Sequence, residues 1–278
     1  MVKHIILDTD IGYDPDDAFA LLLALCSEEI LLDLVVTSDE HLGHKAAFAR
    51  MLLQSMKKDI PVIKGSDLGN ANCVVCDFVS GVVRKGNVLS TIKNIVENNS
   101  RTYYVCIGPQ TNLTTFLECV PELKSKMDVV IMGGAINYRR KGMVEHNVRQ
   151  DVRAARKVFN SDINMRWVLS DTTYKAELRI DRSHEIYKRM VRSNMRVAKL
   201  LLKNCQNFFR KVYPETYMHD PLTLSCIINP KFVRFGRKRL GMDEKGIMHL
   251  CEDGKELLVS TDADYEKFME FLSERLPF

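Results

Sequence analysis

The sequence predicts an α/β protein built on an open, mostly parallel sheet with helices on both faces and a mixed edge. Three observations carry that prediction. Short apolar runs alternate with amphipathic helical patterns along most of the chain, which is how a parallel sheet with covering helices reads. Polar clusters recur directly after the apolar runs, where the carboxyl ends of parallel strands gather ligand-binding groups. No internal repeat, low-complexity tract or linker interrupts the 278 residues, so a single domain over 1–278 is the simplest organisation.

In chain order, His4 to Leu7 reads as a buried strand, Asp17 to Cys26 as a helix, Leu31 to Thr37 as a strand and Lys45 to Met56 as a helix. Pro61 to Lys64 begins a short strand, and Val88 to Glu97 is helical. The strands Thr102 to Ile107, Val129 to Met132 and Met165 to Leu169 are separated by helices around Leu113 to Cys119 and Asp151 to Phe159. From His184 to Val212 a Met- and Lys-rich amphipathic stretch reads as a packed outer helix or helix pair. His219 to Ile228 is a helix, Phe232 to Val259 a hairpin region with the turn MDEKGI, and Ser260-Thr261-Asp262 offer capping residues to a last helix, Tyr265 to Leu276.

Composition narrows the class of function. A hydrophobic share of 46% and a charged share of 27% are those of an ordinary folded protein. The 40 basic and 36 acidic residues, spread along the chain, leave a formal net charge of +4, which gives little reason to expect nucleic acid or membrane as a partner. Arg139-Arg140-Lys141 and Arg237-Lys238-Arg239 read as solvated loops or hairpin edges. No window reaches the roughly 18 apolar residues that span a bilayer, and the chain opens on a strand pattern without a signal peptide's features, so the cytoplasm is the expected compartment. Eight cysteines, mostly in apolar segments (Cys26, Cys106, Cys119, Cys226), read as reduced core residues. Cys73 and Cys76 form a C-x-x-C, with no second pair at zinc spacing and no thioredoxin-like context.

The densest chemistry lies in HIILDTDIGYDPDDAFALLLAL, where Asp8 and Asp10 end a buried strand and Asp16 and Asp17 begin a helix. An isolated D-x-D on a surface loop solvates its charges one by one. Here the carboxylates crowd near apolar walls, where without a cation some must take up protons. A hard divalent ion resolves the conflict, because calcium accepts six to eight oxygen ligands from carboxylates, backbone carbonyls and water. The start of a helix also favours the negative charge of Asp16 and Asp17. Further polar clusters follow other strands, at Thr37 to His41, Ile107 to Asn112 and Gly133 to Asn147, and HDP stands at 219–221.

Taken in order, LDTDIGYDPDDAFAL, IGPQTNL, VVIMGGA, VEHNVRQDVRAARKVF and HDPLT resemble the inosine/uridine-type nucleoside hydrolase family over nearly the whole chain. The resemblance implies a calcium-dependent N-ribosyl hydrolase of nucleoside hydrolase-like fold. By it, Asp10, Asp17 and Asp220 would bind Ca²⁺ through their carboxylates and Ile107 through its backbone carbonyl, and Asp10 would also be the general base. Asp16 matches the carboxylate on the ribose 2′-hydroxyl, Glu145 and Asn147 match the pair on the remaining sugar hydroxyls, and His219 is a candidate general acid. The partner is then a small-molecule nucleoside, and a homodimer or homotetramer is expected.

The chain departs from the family pattern in places. Its first loop is longer around Asp14-Pro15, so Asp14 could displace Asp16 or Asp17. TSDEHLGH replaces a family loop with a ligand-contacting asparagine, leaving Glu40 or His41 near that place, and Asn137 stands for the asparagine at the sugar's 5′ end. Base contacts fall on segments that do not align, among them Tyr213 and Tyr217. Two other readings stay open: a non-catalytic ribosyl-binding or regulatory protein on the same fold, and a haloacid dehalogenase-like phosphatase using Asp8 as nucleophile.

Overall fold

The structure, a computed structural model, describes residues 2–70, 72–79, 83 and 86–278. Its first half runs β1 (Lys3–Thr9), α1 (Asp16–Leu25), β2 (Ile30–Thr37), α2 (His44–Ser55), β3 (Val62–Lys64), α3 (Val88–Asn98), β4 (Thr102–Cys106), α4 (Thr111–Cys119) and β5 (Met127–Met132). There follow α5 (His146–Gln150), α6 (Val152–Asn160), β6 (Asn164–Val168), α7 (Ser170–Thr173), β7 (Arg179–Asp181), α8 (Glu185–Arg192), α9 (Arg196–Lys211) and β8 (Glu215–Tyr217). The chain closes with α10 (His219–Ile228), β9 (Val233–Met242), β10 (Met248–Leu250), β11 (Lys255–Ala263) and α11 (Tyr265–Arg275).

Among the described residues, nine strands form one sheet in the order β10-β9-β11-β6-β5-β4-β1-β2-β3. The run from β11 to β3 is parallel, and β9 and β10 pair antiparallel at one edge, the mixed edge read from the sequence. From β1 the chain builds outward to β2 and β3 on one side, then returns to place β4, β5 and β6 on the other. The loops leaving β1 and β4 therefore diverge over adjacent strand ends, the position at which an open α/β sheet offers a crevice.

Alternation along the strands sorts the core into two layers. Ile5 and Leu7 of β1 pack with α1, α2, α10 and α11, whereas Ile6 faces the opposite layer with Ile92 of α3, Phe116 of α4 and Val158 of α6. The run from Ala18 to Ala24 is buried on every side, which makes α1 a core helix rather than an amphipathic surface one. Its two leading aspartates are buried with it.

Of the two readings of the 184–212 stretch, the helix pair is the one found, α8 and α9, broken at 193–195. Other expectations need correction. Ser260, Thr261 and Asp262 lie in β11, and Asp264 caps α11 by accepting from the Lys267 amide. Cys73 and Cys76 are joined in a disulfide, and Cys119 is exposed, so the reading of reduced core thiols holds for Cys106, Cys205 and Cys226. Arg237 and Arg239 do lie on an exposed hairpin strand, with Arg237 paired to Glu256.

Glu40 is also displaced from its expected role. It is fully buried, and its carboxylate accepts from the Thr37 hydroxyl and the amides of His41, Lys45 and Ala46 at 2.5 to 3.1 Å. Since Gly43, at the N-cap of α2, has no side chain to offer, Glu40 satisfies the free amides of that helix start. Replacing it strands four donors inside the protein. Glu40→Ala is expected to lower unfolding stability by roughly 3 kcal/mol, read as the shift in a urea or thermal unfolding curve; an unchanged midpoint would remove this account of α2.

Candidate metal centre and active site

Helices α1 and α10 lie in the same core layer and start at the same place, so Asp16 and Asp17 meet Asp220. A carboxylate oxygen from each of the three lies within 4.8 Å of the others, and all three side chains are buried. Thr9 donates its hydroxyl to Asp17, and the Asp220 amide donates to Asp16 at 3.4 Å. Two helix N-termini therefore face one cluster, each favouring negative charge. Burial pushes all three carboxyls well up from their ordinary range, and the neighbouring aspartates push them further: Asp14 and Asp17 on Asp16, Asp10 on Asp17, Asp16 and Asp17 on Asp220.

The cluster opens into a cleft of about 520 Å³. Asp10, Asp14, Asp16, Asp17, Ile107, Glu145, Asn147, His219 and Asp220 all line it. Of the expected metal ligands, Asp17 and Asp220 converge with Asp16 rather than with Asp10, while Asp10 and Ile107 share the same cavity. The Ile107 carbonyl accepts from Asn147 Nδ2 at 2.9 Å, which leaves a second lone pair. Three buried oxygen donors whose burial first, and mutual repulsion next, favours protons on them fit a hard divalent cation; Asp16, Asp17 and Asp220 would hold it. Asp14, the extra residue of the long first loop, accepts from the Thr216 hydroxyl, and burial raises its carboxyl to about 6.

Glu145 caps α5. Its carboxylate accepts from the amides of Gly134, Asn147 and Val148 at 2.9 to 3.2 Å. Asn147 Nδ2 ties the Ile107 and Met132 carbonyls across the ends of β4 and β5. The wall beside Asp10 is thin by necessity: a Cβ on Gly108 would stand 2.9 Å from the Asp10 amide nitrogen and 3.0 Å from its Oδ1.

His219 packs parallel to Tyr174 and tilted to Tyr217, with centroid separations of 6.3 and 5.8 Å. Its Nδ1 lies 2.6 Å from the Thr173 hydroxyl, so Nε2 remains for a ligand. Burial first, then the positive charge of Arg139 and His146, pushes this imidazole down to about 3. It is neutral at physiological pH, and a cation bound beside it would push it lower still.

Three expected contacts lie elsewhere. Glu40 anchors α2, His41 packs against His44 at 6.0 Å, and neither lines the cleft. Asn137 is exposed, donates its amide to Asp171 and lines a neighbouring pocket instead. Conversely, the cleft is lined by Tyr13, Tyr138, Arg139, Arg140, Arg149 and Tyr174, which sequence reasoning missed or read as solvated loop. Tyr174 follows the carboxyl end of β6, so applying the strand-end rule to that strand would have found it.

Asp8 does not reach the cleft. Tyr104 and Asn112 donate to its two oxygens at 2.7 and 2.9 Å, and burial raises it to about 7. A phosphatase nucleophile must face its substrate, so the phosphatase reading fails here.

Residues 5–270 match the family model described as inosine-uridine preferring nucleoside hydrolase. The chain is 27% identical over 316 aligned residues to the pyrimidine-specific ribonucleoside hydrolase RihA of Escherichia coli O81 (strain ED1a), covering 100% of this chain and 99% of that one. Similar solved structures include a plant nucleoside hydrolase, PpNRh1, with a TM-score of 0.85 at 22% identity over 99% of both chains. Another is the inosine-uridine preferring nucleoside hydrolase of Bacillus anthracis, with a TM-score of 0.79 at 15% identity over 99% of both chains. These two likenesses speak to the fold, and the family match, running from β1 into α11, speaks to descent. The chain belongs to the inosine-uridine preferring nucleoside hydrolase family.

Proposed function

We propose that the protein hydrolyses the N-glycosidic bond of a ribonucleoside or related N-ribosyl compound, releasing ribose and free base. The observation that carries this reading is the convergence of Asp16, Asp17 and Asp220 on one cleft with Asp10 beside them, in a chain of this family. We assign Ca²⁺ as the resident ion, on the all-oxygen donor set. When bound, such a cation supplies Lewis-acid chemistry that offsets the carboxylate charge and acidifies a water.

The chain's own residues then divide the work. Asp10 is the candidate base that takes a proton from the attacking water, whose oxygen bonds to the anomeric carbon as the C–N bond breaks and its electron pair leaves with the base; the base then takes a proton from solvent and Asp10 returns its own to solvent. Positive charge grows on the ribose ring as that bond lengthens, and the acidic floor stabilises it. Glu145 and Asn147 would position the sugar, with Asp16 reaching it through the carboxylate lone pairs that the cation leaves free. Around the other end, Tyr13, Tyr174, Tyr213 and Tyr217 offer faces to a flat base. Being neutral, His219 serves the leaving group as a hydrogen-bond donor through Nε2 and stores no proton for it. Six free thiols accord with the cytoplasm as the working compartment.

Reducing sugar released from a panel of purine, pyrimidine and modified ribonucleosides tests the reading. Turnover with Ca²⁺ is expected to vanish on chelation, and Asp10→Asn is expected to lower kcat by on the order of 10²–10⁴. A panel with no turnover at all would leave only the non-catalytic ribosyl binder.

The raised carboxyls give a second expectation with a defined sign. Because their folded values lie above the unfolded ones, the cation-free protein holds protons on the cluster, and its stability falls as pH rises from the ordinary aspartate range through those raised values. A cation displaces the protons. Adding Ca²⁺ to unbuffered, chelator-stripped protein near neutrality should therefore acidify the solution and raise Tm; proton uptake would contradict the assignment. Gly108→Ala tests the geometry beside Asp10: the added Cβ would also stand 2.5 Å from the buried Ser38 Oγ, so Tm should drop modestly and kcat should fall by about tenfold or more, whereas wild-type turnover would show that the Asp10 backbone can yield.

A further inference from the structure

Three arginines line the cleft whose floor is acidic. Among the described residues, none of Arg139, Arg140 and Arg149 forms a salt bridge. Each is held by groups that carry no negative charge and line the same cleft. The Arg139 guanidinium lies over the rings of Tyr174 and Tyr138, at 4.4 and 5.7 Å from their centroids. Arg140 donates to the Tyr213 hydroxyl at 2.6 Å, and an Arg149 Nη2 lies 3.2 Å from His146 Nδ1.

This arrangement orients three planar cations without neutralising them. A rim of arginines that merely balanced the floor would pair with its carboxylates, and these do not. Guanidinium forks match phosphate and carboxylate groups bidentately, and stacking on aromatic faces reduces the freedom they lose on binding. Two of the three, Arg139 and Arg140, stand on the segment between β5 and α5 that ends in Glu145, so they belong to the element that also carries the candidate sugar contacts. A neutral nucleoside offers the three guanidiniums neutral acceptors but no counter-charge.

We propose that the substrate is an anionic N-ribosyl compound, with its phosphate or carboxylate bound by Arg139, Arg140 and Arg149 while its ribose lies over the acidic floor. This rests on the N-ribosyl hydrolase reading and narrows its substrate class. The anion has two chemical sources: a 5′-phosphate on the ribose, or a carboxylate on the base.

The test compares kcat/KM of the Ca²⁺-loaded protein for a neutral ribonucleoside, its 5′-monophosphate and the same ribonucleoside bearing a carboxylate on its base, with free base measured by chromatography. At least one anionic compound should exceed the neutral parent by about tenfold or more, the effect of one or two charge-assisted hydrogen bonds; which one does identifies the source. The double variant R139A/R140A should bring that ratio close to unity, and R139K/R140K, which keeps charge but loses the fork, should fall between. Equal or faster turnover of the neutral parent overturns the proposal and leaves N-ribosyl hydrolysis standing. If no compound is turned over, the hydrolase reading falls and calorimetric titration decides the anion site. Tighter binding of ribose 5-phosphate than ribose, or of the carboxylated base than the neutral base, supports the arginine site, and no preference in either pair overturns it.

Discussion

The repulsion among buried carboxylates at the meeting of two helix starts is the constraint around which the rest of the site is built. Two unit charges about 4 Å apart repel by about 4 kcal/mol at an effective dielectric constant of about 20, and Asp16, Asp17 and Asp220 form three such pairs. Among the described residues none forms a salt bridge to the three carboxylates, although the charge of Lys45 favours ionised Asp17. Lys45, fully buried nearby, is paired to Asp39 at 3.4 Å. Helix dipoles and the Thr9 hydroxyl favour the charges but do not cancel them. The cluster can be neutralised by protons or by a cation, and only the second leaves it able to stabilise positive charge on a sugar.

The five aspartates between Asp8 and Asp17 are tolerable because the fold does not keep them together as one group. Asp8 lies within β1, where Tyr104 and Asn112 hold its carboxylate, whereas Asp10 stands just past the strand's last residue, Thr9, and lines the cleft. The added length of the loop delivers Asp14 to Thr216, a residue of the small β7–β8 ribbon. Only Asp16 and Asp17 are left to the shared cluster, where α10 adds Asp220. Sequence density and electrostatic density are thus different quantities here, and the topology converts one into the other.

What the sequence made legible was whatever depends on period and on strand ends. β1, β4 and β5 read as buried runs because parallel strands are apolar on both faces, and the polar residues after them fell where the crevice is. Less legible were features set by distant partners. The three-residue strands β7 and β8 carry too little pattern to detect, yet β8 brings Thr216 to Asp14 and Tyr217 to His219. Glu40 looked like a ligand contact because it follows a strand; its burial under the start of α2 follows from Gly43 having no capping side chain. Ser260, Thr261 and Asp262 have the chemistry of a helix cap, but pairing to β9 draws them into a strand. Arg139 and Arg140 read as solvated loop because a charge run reports no direction; Tyr174 and Tyr213 supply it.

His219 shows how the two ends of the cleft depend on each other. An imidazole near several carboxylates would ordinarily gain a proton, and here burial between aromatic rings, with Arg139 above, outweighs that tendency. The same arginine that adds charge to the rim therefore helps keep the histidine neutral. In the proposed reaction the leaving base meets a hydrogen-bond donor, while charge stabilisation comes from the opposite, acidic side. Bond cleavage then relies on the electrostatic gradient between floor and rim more than on a proton stored in a side chain. A donor that never changes its charge over the physiological range leaves the acidic floor as the part of the site whose protonation state governs the chemistry.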